Sequence, residues 1–481
     1  MKKHIKIILA LLLAFALLFL PSCSRIEAEG TIEPQTLPFE ETILTETNES
    51  TEEEINPYAE RIKSLPDADF GGATFRIATD TNDLVVNTAG ASFVGKEQYL
   101  RNLAVEEKYN VKLTLTDESG LPTVVDRIRT EALAGAGFCD LVILHTSRFQ
   151  DLVSADLLHN VRTVPYLNLS GEGIHSESLK ATTFGPTTYG FAGDFIYEPD
   201  SLYGIFFNKD LLSKTALPDL YQLVRDNQWD FDNLVLYAEE VLSVSLAGGK
   251  RISGFQSTAS KEELINVFWA AGGQDFLSND YGTRPYLDYN NETTESFIGS
   301  VQKALFKTSA FNDSSASAVS TFSTGDSFML IAPLSTAKDL VGKGINWGLV
   351  PLPKQDINQS NFYSYMSNNV NFAGFVFGTP DLNFSGMVTN ALFESSVGIA
   401  KKIANATYLN LYFNSITDVE MMERMIDTPY YDPIVFFSTF DDSITASTQT
   451  LLFRAISSEG RFSILYNQYN KMFEKYLNEK F

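Results

Sequence analysis

Short β-rich runs alternate with helical runs from residue 69 to residue 144, and this alternation constrains the fold more than any other feature of the sequence. The predicted strands are 74–79, 111–115 and 140–144, and the predicted helices between them are 99–109 and 121–134. Strand, helix, strand, helix, strand is the pattern of an open α/β sheet. The pattern resumes after Asp194, and a chain of 481 residues has room for two domains or more.

The first 22 residues have the layout of a secretory signal peptide. Three lysines precede fourteen apolar residues, 7–20, a run shorter than the ~20 residues of a membrane-spanning helix. Leu20-Pro21-Ser22-Cys23 resembles a bacterial lipobox, although Pro21 is unusual there. The resemblance implies that residues 1–22 are removed and that Cys23 carries the lipid, including acyl chains such as palmitate. The alternative is an ordinary cleavage site with a chance cysteine beside it.

Lipidation of Cys23 leaves Cys139 as the only other cysteine, so the chain cannot form an internal disulfide bond. Cys139 precedes an apolar run, and we expect it to pack as a small hydrophobic residue.

An acidic segment predicts a disordered tether over residues 23–66. Residues 24–60 carry eleven Glu and one Arg, with few large apolar side chains to offset the entropy of ordering. Over the whole chain, 60 acidic residues stand against 36 basic ones, which gives a net charge of -24. This balance argues against nucleic acid as a partner, because binding phosphates needs clustered Lys and Arg.

The common catalytic and cofactor motifs fail on inspection. Residues 90–96 match the spacing of a phosphate-binding loop, but Glu97 stands where such a loop needs a hydroxyl group. The histidines after the signal peptide, His145, His159 and His175, form no pair at metal-ligand spacing. No G-x-S-x-G element is present. The sequence therefore predicts no enzyme, no cofactor and no metal.

Several segments resemble one known family, and they follow one another in its order. These are 69–75, 101–110, 219–230, 322–329 and 348–354, together with Phe206-Phe207-Asn208-Lys209-Asp210-Leu211-Leu212, which resembles a "Y/F-N-K-D-L" strand-to-helix element. The family is that of the bacterial extracellular solute-binding proteins, family 1, the sugar-type receptors of ABC importers. The resemblance extends from residue 69 to about residue 435.

The resemblance implies an α/β, two-lobe fold of the periplasmic-binding-protein type (type II), with discontinuous lobes joined by a hinge. Lobe 1 is predicted at 67–190 plus 329–372, and lobe 2 at 191–328 plus 373–481. The chain is expected to cross between lobes near 189–195, 327–331 and 371–377. Ligand would be held in the cleft and enclosed by rotation of the lobes.

Eight residues are candidate ligand contacts. Thr146 and Ser147 follow a predicted strand, where ligands of open α/β sheets gather. Trp269 precedes a glycine pair, as the cleft tryptophan does in the family, and core packing is its alternative. The remaining candidates lie near the expected crossings: Asp194, Tyr197, Tyr363, Tyr365 and Asn369. His145, at the same strand end, is either a ligand contact or a structural histidine.

The sequence thus predicts a lipid-anchored solute-binding protein on the extracytoplasmic face of the cell membrane. It would capture a sugar or oligosaccharide and present it to the permease subunits of an ABC importer. A lipoprotein that reports a ligand to a membrane kinase is an alternative, and a surface glycoside hydrolase is a weaker one. Sequence alone leaves the identity of the ligand and the oligomeric state open.

Overall fold

The computed structural model describes residues 56–81, 92–117, 121–135, 137–275, 277–287, 291–366, 370–433, 442–457 and 462–480. The predicted signal peptide, the lipidation site at Cys23 and most of the predicted tether lie outside these residues.

Fifteen β-strands are present in the described residues. In chain order β1 to β15 they are Ala73–Thr79, Val111–Asp117, Leu141–His145, Thr183–Phe184, Thr187–Thr188, Tyr203–Asn208, Ser253–Ser257, Leu277–Ser278, Tyr286–Leu287, Phe311–Asn312, Ser327–Pro333, Trp347–Pro351, Ser364–Tyr365, Asn371–Gly374 and Pro429–Tyr430.

Seventeen α-helices are present in the same residues. In chain order α1 to α17 they are Pro57–Ile62, Phe93–Tyr109, Leu121–Ala134, Thr146–Ser154, Ser176–Ala181, Lys209–Leu212, Leu220–Arg225, Phe231–Ala247, Lys261–Ala271, Glu292–Gln302, Ala318–Ser323, Ala337–Leu340, Leu382–Ser395, Ile399–Leu411, Ile416–Ile426, Asp442–Ser457 and Phe462–Lys480.

Two sheets form the centres of the two lobes. The first sheet has the order β14-β3-β1-β2, in which β1 runs parallel to β2 and β3 and β14 runs antiparallel to β3. The second has the order β10-β7-β11-β6-β12, with β6 antiparallel to both of its neighbours. All six residues of β6 are buried. Burial of successive residues along a strand is typical of a sheet that is covered on both faces.

Two of the three expected crossings lie side by side. The peptide groups of Phe191 and Ala373 exchange two hydrogen bonds, of 3.0 and 2.8 Å. The third expected crossing, 327–331, instead lies within β11, between β7 and β6 of the second sheet. Both β11 and β12 therefore belong to the second sheet, whereas the sequence placed residues 329–372 in lobe 1. The cause is the antiparallel pairing with β6, which a strand pattern does not specify.

The folded part includes residues 56–62, although the predicted tether extends to residue 66. Asn56 caps α1 by accepting a hydrogen bond from the backbone N–H of Tyr58, and its side-chain amide donates to the carbonyl of Leu100. Tyr58 and Ile62, one helical turn apart, are buried. The acidic composition concealed this short amphipathic helix, because only two of its side chains need to be apolar to dock it.

A buried carboxylate ties the "N-K-D" element to the C-terminal helices. Asn208 caps α6, and Lys209 lies 3.6 Å from Asp418 on α15. Asp418 accepts hydrogen bonds from the hydroxyl of Tyr221 at 2.6 Å and from the backbone N–H of Leu349 at 2.9 Å. Burial raises the pKa of this carboxyl, and the Tyr221 hydroxyl and Lys209 oppose that shift.

Candidate functional site

Polar side chains gather at one edge of the first sheet. Thr81 follows β1, His145 ends β3, and Asn371 begins β14. Because β14 is antiparallel to β3, its first residue lies beside the last residue of β3, and Asn371 pairs with His145 in register. Ligands of open α/β sheets bind beyond the carboxyl ends of the parallel strands, which is this edge.

A chain of hydrogen bonds connects these strand ends to the segment that leaves the first crossing. The hydroxyl of Thr81 donates to Oδ1 of Asn371 at 3.0 Å. Nδ2 of Asn371 donates to Oε1 of Glu198, also at 3.0 Å. We call Asp80, Thr81, His145, Glu198 and Asn371 the edge network. It combines hydroxyl, amide, imidazole and carboxylate groups, which together donate and accept the hydrogen bonds that a polyhydroxylated ligand offers.

Asp80 and His145 form a close pair within the edge network. Nδ1 of His145 lies 3.1 Å from Oδ1 of Asp80, and the backbone N–H of His145 donates to the same oxygen at 3.1 Å. The Asp80 side chain is 1% exposed and that of His145 is 21% exposed. Asp80 chiefly raises the pKa of His145; partial burial lowers it, and Glu198 adds to the increase.

A cavity of about 420 Å³ adjoins the edge network. Thr81 and Glu198 line it, along with residues of α2, α14 and the 194–200 segment. Ile399 and Ile403 contribute apolar surface, and the carboxylate of Asp200 accepts a hydrogen bond from the Tyr408 hydroxyl at 2.8 Å. The lining of this first cavity therefore combines apolar side chains with several polar groups, the usual composition of a small-molecule site.

Arg101 forms a buried part of the wall of the first cavity. Its guanidinium carbon lies 4.5 Å from the ring centroid of Phe195, and its Nε donates to Oδ1 of Asn102 at 3.1 Å. Burial lowers the pKa of Arg101 to about 9.

A second cavity, of about 560 Å³, shares Asp194 with the first. His175 lies in its wall, with Nε2 3.1 Å from Oδ1 of Asp194 and Nδ1 2.8 Å from the hydroxyl of Tyr431. The other oxygen of Asp194 accepts a hydrogen bond from the backbone N–H of Gly398, which precedes α14. Asp194 thus contributes a carboxylate to the N-terminus of α14, where negative charge is stabilising.

The edge of the second sheet lies close to the edge network. Leu202, just before β6, pairs with Met366, and Thr146 bonds through its N–H and its hydroxyl to the carbonyl of Val370 at 2.8 and 2.9 Å. Four peptide units join Met366 to Val370, so their Cα atoms are at most roughly 14 Å apart. Segments bonded to the two sheets therefore come close together here.

The structure places the eight sequence candidates in different surroundings. Asp194 and Tyr197 line the first cavity, and Asp194 and Tyr363 line the second. Ser147 is exposed at the first turn of α4, at the carboxyl end of β3. Asn369 lies outside the described residues. The remaining three candidates, Thr146, Tyr365 and Trp269, are 2%, 3% and 1% exposed.

Burial gives two of these candidates a structural role in this conformation. Trp269 lies in the core, and its ring meets the ring of Phe297 edge-on at 5.4 Å. Tyr365 packs against Tyr203 at 5.5 Å. For Trp269 the structure therefore favours core packing, the alternative that the sequence left open.

Four members of the edge network are not among the residues that the sequence marks as candidate ligand contacts: Asp80, Thr81, Glu198 and Asn371. Asp80 and Thr81 follow β1 as Thr146 and Ser147 follow β3, so the position beyond a strand end is a signal that marks all four residues. Nothing local marks Asn371, which is 290 residues from Thr81 and 173 from Glu198.

Two kinds of feature are absent from the residues that the structure describes. Within them no helix combines the length and apolar character needed to cross a bilayer. The same part of the chain holds no group of three or more His, Cys, Asp and Glu side chains suited to a metal ion.

Comparisons with known proteins agree on family and fold. Residues 104–376 match a family model described as "Bacterial extracellular solute-binding protein". A crystal structure of a cyclo/maltodextrin-binding protein complexed with maltotetraose is 16% identical, with a TM-score of 0.50, and the alignment covers 85% of this chain and 97% of that one. The GacH receptor of Streptomyces glaucescens is 12% identical, with a TM-score of 0.47, over 85% of this chain and 99% of that one.

No curated protein sequence matches significantly. The predicted two-lobe α/β fold is confirmed, as is the resemblance on which it rested.

Proposed function

The chain belongs to the family of bacterial extracellular solute-binding proteins, and from this premise we propose that it captures a sugar or oligosaccharide for an ABC importer. The observation that carries the proposal is the edge network beside the first cavity, at the strand ends where such folds bind ligands. Maltotetraose, the ligand of the maltodextrin-binding protein of similar fold, indicates the class of solute to test first.

Binding is proposed to proceed without bond chemistry. Hydroxyl groups of the ligand would exchange hydrogen bonds with Thr81, Glu198 and Asn371, while apolar C–H faces would lie against the walls of the first cavity. The lobes would then rotate about the paired crossings at Phe191 and Ala373 and exclude water from the ligand. Small-angle scattering tests this motion, because closure predicts a smaller radius of gyration with ligand and a rigid body predicts no change.

Isothermal titration against maltotetraose and a panel of mono- and oligosaccharides tests the ligand class. Replacing Asn371 by Ala removes the link between Thr81 and Glu198 and is expected to weaken sugar binding at least about tenfold. Asn410→Ala is the matched control, because Asn410 is exposed and, among the described residues, its amide donates to the carbonyl of Ala406 within α14. Binding of peptides but of no sugar would refute the sugar class. An unchanged sugar affinity in Asn371→Ala would show that the binding site does not include Asn371.

The lipid anchor at Cys23 is part of the proposal and has its own test. Mass spectrometry of the protein from the membrane fraction should show an acylated N-terminal cysteine at this position. Cys23→Ser should release the folded protein from the membrane without changing its ligand affinity, because none of the residues proposed to bind the ligand belongs to the predicted signal peptide or tether. A Cys23→Ser protein that stays in the membrane fraction would exclude this mode of attachment.

A further inference from the structure

His145 presents one ring nitrogen to Asp80 and leaves the other available. Oδ1 of Asp80 lies 3.1 Å from Nδ1, and the same oxygen accepts the backbone N–H of His145. These two contacts fix the ring against the end of β1. Among the described residues Nε2 has no hydrogen-bonding partner, and the side chain is 21% exposed. A ligand bound over the strand ends would lie beside this partly exposed ring, in which Nε2 is the nitrogen that does not face Asp80.

The charges around His145 favour its protonated form. Asp80 faces the ring from the end of β1, and Glu198 faces it from the segment after the first crossing. The neighbouring groups on β14 and after β1, Asn371 and Thr81, are neutral. Asp80 is 1% exposed, and its Oδ2 is buried without a hydrogen-bonding partner in the described part of the chain. A buried carboxylate with so few partners is stabilised by an adjacent cation.

Ligand binding strengthens this preference. A saccharide over the strand ends replaces water beside the imidazole and the two carboxylates, and the attraction between opposite charges grows as water is removed. In the imidazolium both nitrogens are donors, so Nδ1–H can face Asp80 while Nε2–H faces the ligand. The neutral ring, with its proton on Nδ1, offers the ligand only an acceptor.

We propose that His145 binds the ligand by donating a hydrogen bond from Nε2 to an oxygen of the saccharide, so that capture takes up a proton and is tighter at lower pH. This inference rests on the proposed function and specifies how the same site is regulated. The raised pKa of His145 in the free protein agrees with it. Uptake and release would then follow the local pH between about 5.5 and 8, the range in which histidine titrates.

Calorimetry of the whole protein with maltotetraose, from about pH 5.5 to about pH 8, tests the proposal. The dissociation constant should increase with pH, by at most about tenfold per pH unit for one linked proton. Titrations in buffers of different ionisation enthalpy should show a fraction of a proton taken up on binding. This second measurement needs no variant, so it stands even if changes at His145 impair folding.

Variants assign the effect to His145. His145→Gln should bind maltotetraose more weakly at low pH and with little pH dependence. His159→Gln is the control and should keep the wild-type dependence of the dissociation constant on pH. The ring centroid of His159 lies 4.5 Å from that of Phe377, and His159 is not a member of the edge network. Asp80→Asn should shift the pH dependence of the dissociation constant to lower pH, since it removes the negative charge beside the His145 ring.

The two proposals fail in different ways. If the wild type binds maltotetraose or another neutral oligosaccharide with no proton uptake, or if His145→Gln keeps the wild-type slope, the role of His145 is refuted and sugar capture stands. If no sugar binds at any pH, the proposed function fails, and this inference fails with it.

Discussion

Replacing Trp269 by Ala distinguishes its two possible roles, as a cleft platform and as part of the core. The side chain is 1% exposed and its ring meets Phe297 edge-on at 5.4 Å. Truncating a buried tryptophan costs about 3–5 kcal/mol, through lost apolar burial and the cavity left behind. Loss of the edge-on pair with Phe297 is part of this cost and contributes about 0.5–1.5 kcal/mol of it. We therefore expect Trp269→Ala to lower the free energy of unfolding by about 3–5 kcal/mol.

Urea denaturation followed by circular dichroism measures this loss, with sugar affinity measured on the folded fraction. Trp269→Phe should lose less stability, because it keeps an aromatic ring in the core. Leu133→Ala is the control, since Leu133 is 79% exposed and should change stability by less than about 0.5 kcal/mol. A Trp269→Ala protein that is as stable as the wild type but has lost sugar binding would refute the reasoning and place the ring in the site.

Three further predictions concern buried or titrating groups. Asp418→Ala should cost about 2–5 kcal/mol in urea denaturation, because the Tyr221 hydroxyl and a backbone N–H lose their buried acceptor, while Tyr221→Phe should cost less. Folding raises the pKa of His145, so the contribution of His145 to the free energy of unfolding is complete below the ordinary histidine pKa and is lost as pH rises through the pKa of the folded protein. Folding lowers the pKa of His159, so its contribution is present above the ordinary histidine pKa and is lost as pH falls through the pKa of the folded protein. His145→Gln and His159→Gln should therefore change the pH dependence of the free energy of unfolding in opposite directions. A change in the same direction in both variants would contradict this. The thiol of Cys139 is fully buried with its pKa raised to about 12, so Ellman's reagent should react with it only after unfolding, and rapid reaction in the native protein would contradict the burial.

The regular elements were predictable wherever local signals define them. The predicted strand at 74–79 is Ala73–Thr79, and the predicted helix at 121–134 is Leu121–Ala134. The helix predicted at 99–109 begins earlier, at Phe93, because Ser92 caps it by accepting the backbone N–H of Gly95. Strand alternation, helical spacing and capping residues act over a few positions, so the sequence alone carries them.

The assignment of strands to sheets was less predictable from the sequence than the strands themselves. The residues of β11 and β12 read clearly as strands, but no local signal says which sheet they join. Their position was decided by antiparallel pairing with β6, more than a hundred residues earlier in the chain. For β11 and β12, the predicted assignment to lobe 1 therefore differs from the sheet that these strands join.

By itself the sequence determined the alternation of strands and helices, the family, and the acidic segment that precedes the folded body. Only the tertiary structure decided which polar groups meet. Asn371 reaches both Thr81 and Glu198 because β14 returns antiparallel beside β3, and Trp269 is buried because its helix packs that face inward. The physical reason is the range of the interactions. Helix and strand patterns arise between near neighbours in the chain, whereas a binding site is made by long-range pairing that no single segment encodes.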